Sequence, residues 1–145
     1  MFINKKHPIP ADAVIVRDAE NGFDVTLKTD AKGQAFMLDD LRVQAVMIIE
    51  KQYKKSLKKP FVSGAFEYSA DPEDLQDLTN AVMSGINQEF KTFDGVLRQY
   101  TPPQIKQVLM DATAAKLARV KKRDEQKALI ASAANETEIN NALAL

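Results

Sequence analysis

The sequence has no cysteine, no tryptophan and one histidine, His7, with only five glycines and six prolines in 145 residues. Without cysteine there is no disulfide, no thiolate zinc site and no cysteine nucleophile. A single imidazole builds neither a metal centre nor an acid–base pair, since both need convergent partners. In its polar setting before Pro8, His7 is expected to be a solvated surface side chain. The glycines stand apart at 22, 33, 64, 85 and 95, so there is no glycine-rich cradle for phosphate. Neither sign of charge dominates: twenty Lys+Arg meet twenty Asp+Glu, leaving no net field to gather nucleic acid or an anionic membrane. Long apolar runs are missing as well. Ala45-Val46-Met47-Ile48-Ile49 is the longest and falls far short of the roughly 18 residues of a membrane span. The first residues, Met1 to Pro8, lack the apolar core of about 7–15 residues that a secretory signal carries. These absences predict a soluble protein that is not an enzyme. No catalytic residue, cofactor, metal, small-molecule substrate or membrane contact is expected.

What is present suits a folded domain. Apolar residues make up 45% and charged residues 28%, a balance that argues against disorder and against a fibrous chain. A length of roughly 100–150 residues is also enough to enclose a hydrophobic core.

The amino-terminal part is rich in β-formers. Residues 12–17 and 23–28 flank Glu20-Asn21-Gly22, where Asn-Gly marks a hairpin turn. Phe23, Val25 and Leu27 alternate with Asp24, Thr26 and Lys28, the period of a strand buried on one face. After a turn at Lys32-Gly33, Gln34 to Leu38 is expected to add a third strand. Asp39 and Asp40 then occupy the N-cap position of a helix that runs from Leu41 to Ser56, with lysines gathered at its end and Pro60 stopping it.

Four further elements follow. Phe61 to Ser69 reads as a short strand bent at Gly64. Asp71-Pro72-Glu73-Asp74 opens a helix whose apolar stripe is Leu75, Leu78, Val82 and Ile86. Gly85, beside that stripe, suggests a close approach by another backbone. Asp94-Gly95 centres a second hairpin, and Thr101-Pro102-Pro103-Gln104 has the pattern of a capping box at the head of a long helix. That helix is expected to leave the globular body where residues 119–127 become charged and polar. A second capping box at Asn135-Glu136-Thr137-Glu138 starts a short terminal helix. Its apolar residues Ile139, Ala142 and Leu143 must fold back or meet a partner.

The fold class is therefore α+β. An amino-terminal β-hairpin or small antiparallel sheet is followed by helices interleaved with short strands, then a long helix and a short terminal helix. Residues 1–38 are expected to form a β-rich docking region and residues 39–145 a mainly helical domain. The acidic group Asp71, Glu73, Asp74 and Asp77 is explained by helix-start chemistry and lacks calcium-loop spacing. The basic run Lys51 to Lys59, with Tyr53 inside it, is the best place for nucleic-acid contact, but it also suits a solvated helix end matched to the dipole.

From about residue 59 to 144 the order of parts resembles a family of unknown biochemical function found in phage and prophage tail-fibre and fibre-assembly proteins. The features that carry the resemblance are Gly64-Ala65-Phe66-Glu67-Tyr68, the Leu75, Leu78, Val82, Ile86 stripe, and Phe93-Asp94-Gly95-Val96 leading to Tyr100-Thr101-Pro102-Pro103-Gln104-Ile105. The closing Ala133-Ala134-Asn135-Glu136-Thr137-Glu138-Ile139 fits too. Many members have tryptophan at the start of the second hairpin, where this chain has Phe90 and Phe93. The resemblance implies a tail-associated structural or adaptor protein acting through protein–protein contacts, with a tail-fibre or baseplate protein as partner. Such a protein would be assembled in the host cytoplasm and located in the virion tail. A tail-fibre assembly chaperone is the alternative within that setting, and a small nucleic-acid-binding regulator is the alternative of another class. Phe23, Val25 and Leu27 of the amino-terminal sheet and Ile139 and Leu143 of the terminal helix are the expected partner-binding residues, and a homo-oligomer is also open to such a chain.

Overall fold

A computed structural model describes residues 2–4, 13–19, 22–27 and 31–145. In order, the elements are strands β1 (Phe2–Asn4), β2 (Ala13–Ala19) and β3 (Gly22–Leu27), helix α1 (Ala31–Ser56), strands β4 (Phe61–Ser63) and β5 (Phe66–Tyr68), helix α2 (Pro72–Ser84), strands β6 (Gln88–Lys91) and β7 (Leu97–Tyr100), and helices α3 (Pro102–Ser132) and α4 (Glu136–Leu143). The class is α+β, as the sequence predicts. The chain forms two compact units: Met1–Ile48 with Gln126–Leu145, and Ile49–Glu125. The junction of residues 38 and 39, where the sequence suggested a division, lies inside α1.

In the first unit the sheet has the antiparallel order β1-β3-β2. Ala19 faces Gly22 across the predicted turn, and Val16 is an extra residue in the ladder, because Ile15 pairs with Val25 while Arg17 pairs with Asp24. The turn residues Glu20 and Asn21 and the lone His7 lie outside the described residues. β1, pairing Ile3 with Phe23, is a strand the sequence reading did not anticipate.

The expected third strand, Gln34 to Leu38, is instead helical. Ala, Gln, Met and Leu are good helix formers, and together they outweigh the cost of Gly33. Asp39 and Asp40 accordingly do not cap a helix. They sit within one, their carboxylates accepting bonds one turn on, from Arg42 Nη1 at 2.6 Å and from Gln44 Nε2 at 2.8 Å. Side-chain partners at these spacings remove the competition with the backbone that makes aspartate a poor helix-interior residue.

The end of this unit is built by α4 folding back. Asn135 Oδ1 accepts from the Glu138 backbone N–H at 2.9 Å, while the Glu138 carboxylate accepts from the Ala134 N–H at 2.7 Å, a capping box displaced by one residue. The buried Gln126 amide donates to the Ala142 carbonyl at 3.0 Å, and Arg42 Nη2 donates to the Ala133 carbonyl at 2.5 Å.

The second unit encloses a core of Phe61, Tyr68, Leu78, Ala81, Tyr100, Ile105, Val108 and Ala112. Its strands form two hairpins. The first, β4–β5, is one the sequence reading merged into a single bent strand. Gly64 takes a positive φ of 59° at the first of two turn positions, and the tightness of that turn lets Phe61 pair with Tyr68. The second, β6–β7, turns at Asp94-Gly95, with the Thr92 N–H donating to the Val96 carbonyl at 3.0 Å. Phe93 N–H donates to the Glu67 carbonyl at 2.8 Å and so joins the two hairpins.

Helix α2 starts where predicted, at Pro72 with Asp71 as N-cap, although the Asp71 side chain makes no capping bond. Its stripe buries Leu78 and half-buries Leu75 and Val82, but Ile86 lies past its end and is exposed. Gly85 is not a place of close approach: it is the left-handed C-cap at φ 66°, with open space around it. Helix α3 opens with the Gln104 side chain accepting from the Thr101 N–H at 2.9 Å. Near the start of its polar stretch the helix still meets the second unit. Arg119 Nη2 donates to the Lys59 and Pro60 carbonyls, both at 3.0 Å, because a guanidinium can lay its stem on apolar surface and still satisfy its donors.

Candidate protein-binding surfaces

Three surfaces stand out by what they leave uncovered. The first belongs to α1 in the first unit. Ala45 is buried there, yet Phe36, Met37, Val43, Met47 and Ile48 all point to solvent from the same stretch of helix. Val43 is 60% and Met47 68% exposed. Residues 36, 40, 43 and 47 follow a spacing of four, three and four, which places them along one seam with Asp40 among them. Contiguous exposed apolar surface on a helix that also has a buried side is the kind of patch at which interaction sites occur.

The second surface is on the joined hairpins. Val62 projects from β4, Leu97 from β7 and Phe93 from the turn that bonds to β5, all exposed. Arg98 lies over the Phe66 ring at 3.9 Å from its centroid, so the aromatic is already covered on one face by a cation.

The third is a trough of about 750 Å³ in the second unit. Leu57, Phe61, Leu75 and Ala115 contribute apolar surface to it. Around them stand Lys54 and Lys58 from the end of α1 and its following turn, and Lys116 and Arg119 from α3. The only acidic lining residue is Asp71. Among the described residues no ion pair engages the ammonium groups of Lys54, Lys58 or Lys116.

The residues expected from sequence fall in three situations. Phe23, Val25 and Leu27 lie on β3, the central strand, whose two edges are paired to β1 and β2, so they can offer a sheet face but no free edge. Ile139 is only 3% exposed, buried like Ala142, Ile130 and Ala133 of the same unit, so the chain's own fold covers it. Leu143 is half-buried, and the exposed apolar side chain of the terminus is Leu145 at 62%. Tyr53, inside the basic run expected to be the best place for nucleic-acid contact, is half-buried with the Arg123 guanidinium over its ring at 4.5 Å.

The exposed side of α1 is not legible while Gln34 to Leu38 reads as a strand, since Phe36 and Met37 then stand outside the helix. The signal was present in Val43 and Met47, four apart on a helix that already had an apolar side. Among the described residues no helix is long and apolar enough to cross a membrane. Compared with protein-family models, curated proteins and solved structures, the chain has no match.

Proposed function

We propose that this chain is a tail-associated structural protein of a bacteriophage, an adaptor at the tail fibre or baseplate that acts through protein–protein contacts and performs no catalysis. The observation that carries the contact reading is the exposed side of α1, where Phe36, Val43 and Met47 line one seam and Met37 and Ile48 flank it. The tail setting rests on the family resemblance of residues 59–144. In this reading the α1 face is the main attachment surface, and the face of the amino-terminal sheet bearing Phe23, Val25 and Leu27 is a second. The protein folds in the host cytoplasm and ends in the virion tail.

The test is to find where the protein goes. Mass spectrometry of purified virions is paired with a pull-down from infected cells. Stoichiometric presence in particles is the expected result. Protein bound to fibres in the lysate but missing from particles would make it a fibre-assembly chaperone, and absence from both would overturn the tail reading.

A further inference from the structure

The trough in the second unit is apolar at its base and basic at its rim, and four lining cations face one carboxylate. We propose that it seats an acidic amphipathic helix of a partner protein, with an apolar ridge lying on Leu57, Phe61 and Leu75 and carboxylates meeting Lys54, Lys58, Lys116 and Arg119. This rests on the protein-contact reading above and adds the chemistry of the partner, at a surface separate from the α1 face.

The volume of about 750 Å³ suits such an occupant. Two turns of an amphipathic helix present about three to four apolar side chains, and apolar grooves receive helices through anchors at this spacing. The rim decides the sign. Arg119 already spends donors on the Lys59 and Pro60 carbonyls, so its charge is fixed in place, while the three lysines have no anionic partner among the described residues. An incoming carboxylate therefore displaces no internal ion pair. It gains complementarity that favours acidic segments over basic ones.

Two other occupants fit less well. A second copy of this chain offers acidic residues on α2, but that helix has its apolar stripe turned into its own core. On α1 the carboxylates of Asp39 and Asp40 are already bonded to Arg42 and Gln44. Single-stranded nucleic acid would meet the rim cations but gain no base stacking from the rings nearby. Phe61 is buried and Tyr53 lies beneath Arg123.

The experiment is fluorescence anisotropy with the full chain and a labelled helical peptide whose leucines recur at helical spacing beside glutamates. Saturable binding is expected, weakened about tenfold or more when lysine replaces the glutamates, when alanine replaces the leucines, or when the chain carries Lys54→Glu with Lys58→Glu. Gln76→Trp, which places bulk in the trough without altering its charge, is expected to weaken binding equally and guards against a charge variant that folds poorly. Met47→Lys, on the α1 face, is expected to leave the peptide affinity unchanged, so failure of the α1 reading and failure of this one are told apart. No binding, equal binding of the glutamate and lysine peptides, or undiminished binding of the alanine peptide would overturn the proposal. So would a single-stranded oligonucleotide that displaces the peptide through Lys54 and Lys58, which would assign the trough to nucleic acid.

Discussion

The hydroxyl groups of Tyr68 and Tyr100 lie 2.6 Å apart, hydrogen-bonded to each other inside the core of the second unit. Tyr68 is only 2% exposed and stacks on Phe61 at 5.7 Å, so its hydroxyl has no route to water and depends on Tyr100. Tyr100→Phe leaves that hydroxyl buried and unpaired, at a cost of about 1–3 kcal/mol. Removing both hydroxyls together leaves no orphan. The double variant Tyr68→Phe with Tyr100→Phe is therefore expected to be more stable than the sum of the two single losses implies, as read by a double-mutant cycle in urea. Additive losses would mean the hydroxyls do not depend on each other.

The same pair makes stability depend on alkaline pH. Burial first, and then the bond to Tyr100, push the Tyr68 phenol above its ordinary value of 10.0. In the unfolded chain Tyr68 ionises near that ordinary value, whereas in the folded chain it keeps its proton. Stability from this group is thus complete below about pH 10 and is lost as pH rises beyond it, because the unfolded state releases the proton first. Tyrosinate absorbance is expected to show Tyr68 ionising only together with unfolding. Absorbance near the ordinary value in the folded protein that is lost in Tyr68→Phe would contradict this.

Gly85 ends α2 at φ 66°, and an added Cβ would meet nothing within 4 Å. Gly85→Ala is expected to cost about 1–2 kcal/mol, all of it from backbone conformation rather than collision. Gly85→Asn should cost less, since asparagine tolerates the left-handed region better. Urea midpoints for the two variants check the order.

Local signals and long-range ones differ in how far they can be read from the chain. Asp71-Pro72, Thr101-Pro102 and Asn135 to Glu138 mark helix starts because capping is settled within four residues. The Asp94-Gly95 turn is legible for the same reason. Asp39-Asp40 carries the same kind of mark and misleads, since only the fold reveals that their carboxylates bond to Arg42 and Gln44 rather than to backbone N–H groups. β4 and β5 have three residues each, too few for alternation to be seen. The trough escapes sequence reading altogether. Leu57 and Phe61 lie in one segment, but Leu75 and Ala115 come from two distant helices, and no sequence spacing links the three parts.

The outer face of α1 separates folding from attachment. Val43→Gln with Met47→Lys exchanges exposed apolar surface for polar, so the unfolding free energy should change by no more than about 1 kcal/mol for the pair. Incorporation of the variant into particles, supplied in trans, is expected to fall sharply. Normal incorporation would remove α1 from the attachment surface, and a large loss of stability would mean that the chain itself covers this face.

The terminal helix gives the opposite contrast. Ile139 and Leu145 sit six residues apart, one at 3% and the other at 62% exposure. Because α4 closes the first unit by folding back, Ile139→Ala is expected to open a cavity and cost about 2–5 kcal/mol. Leu145→Ala should be close to neutral. Asn135→Ala, which removes the bond to the Glu138 N–H, is expected to cost about 1 kcal/mol by loosening the start of the same helix. Hydrogen exchange places the effect: faster exchange along α4 with a lowered urea midpoint is the fold-back result. An Ile139→Ala variant of undiminished stability that no longer associates with its partner would instead return this residue to the docking role that the sequence suggested.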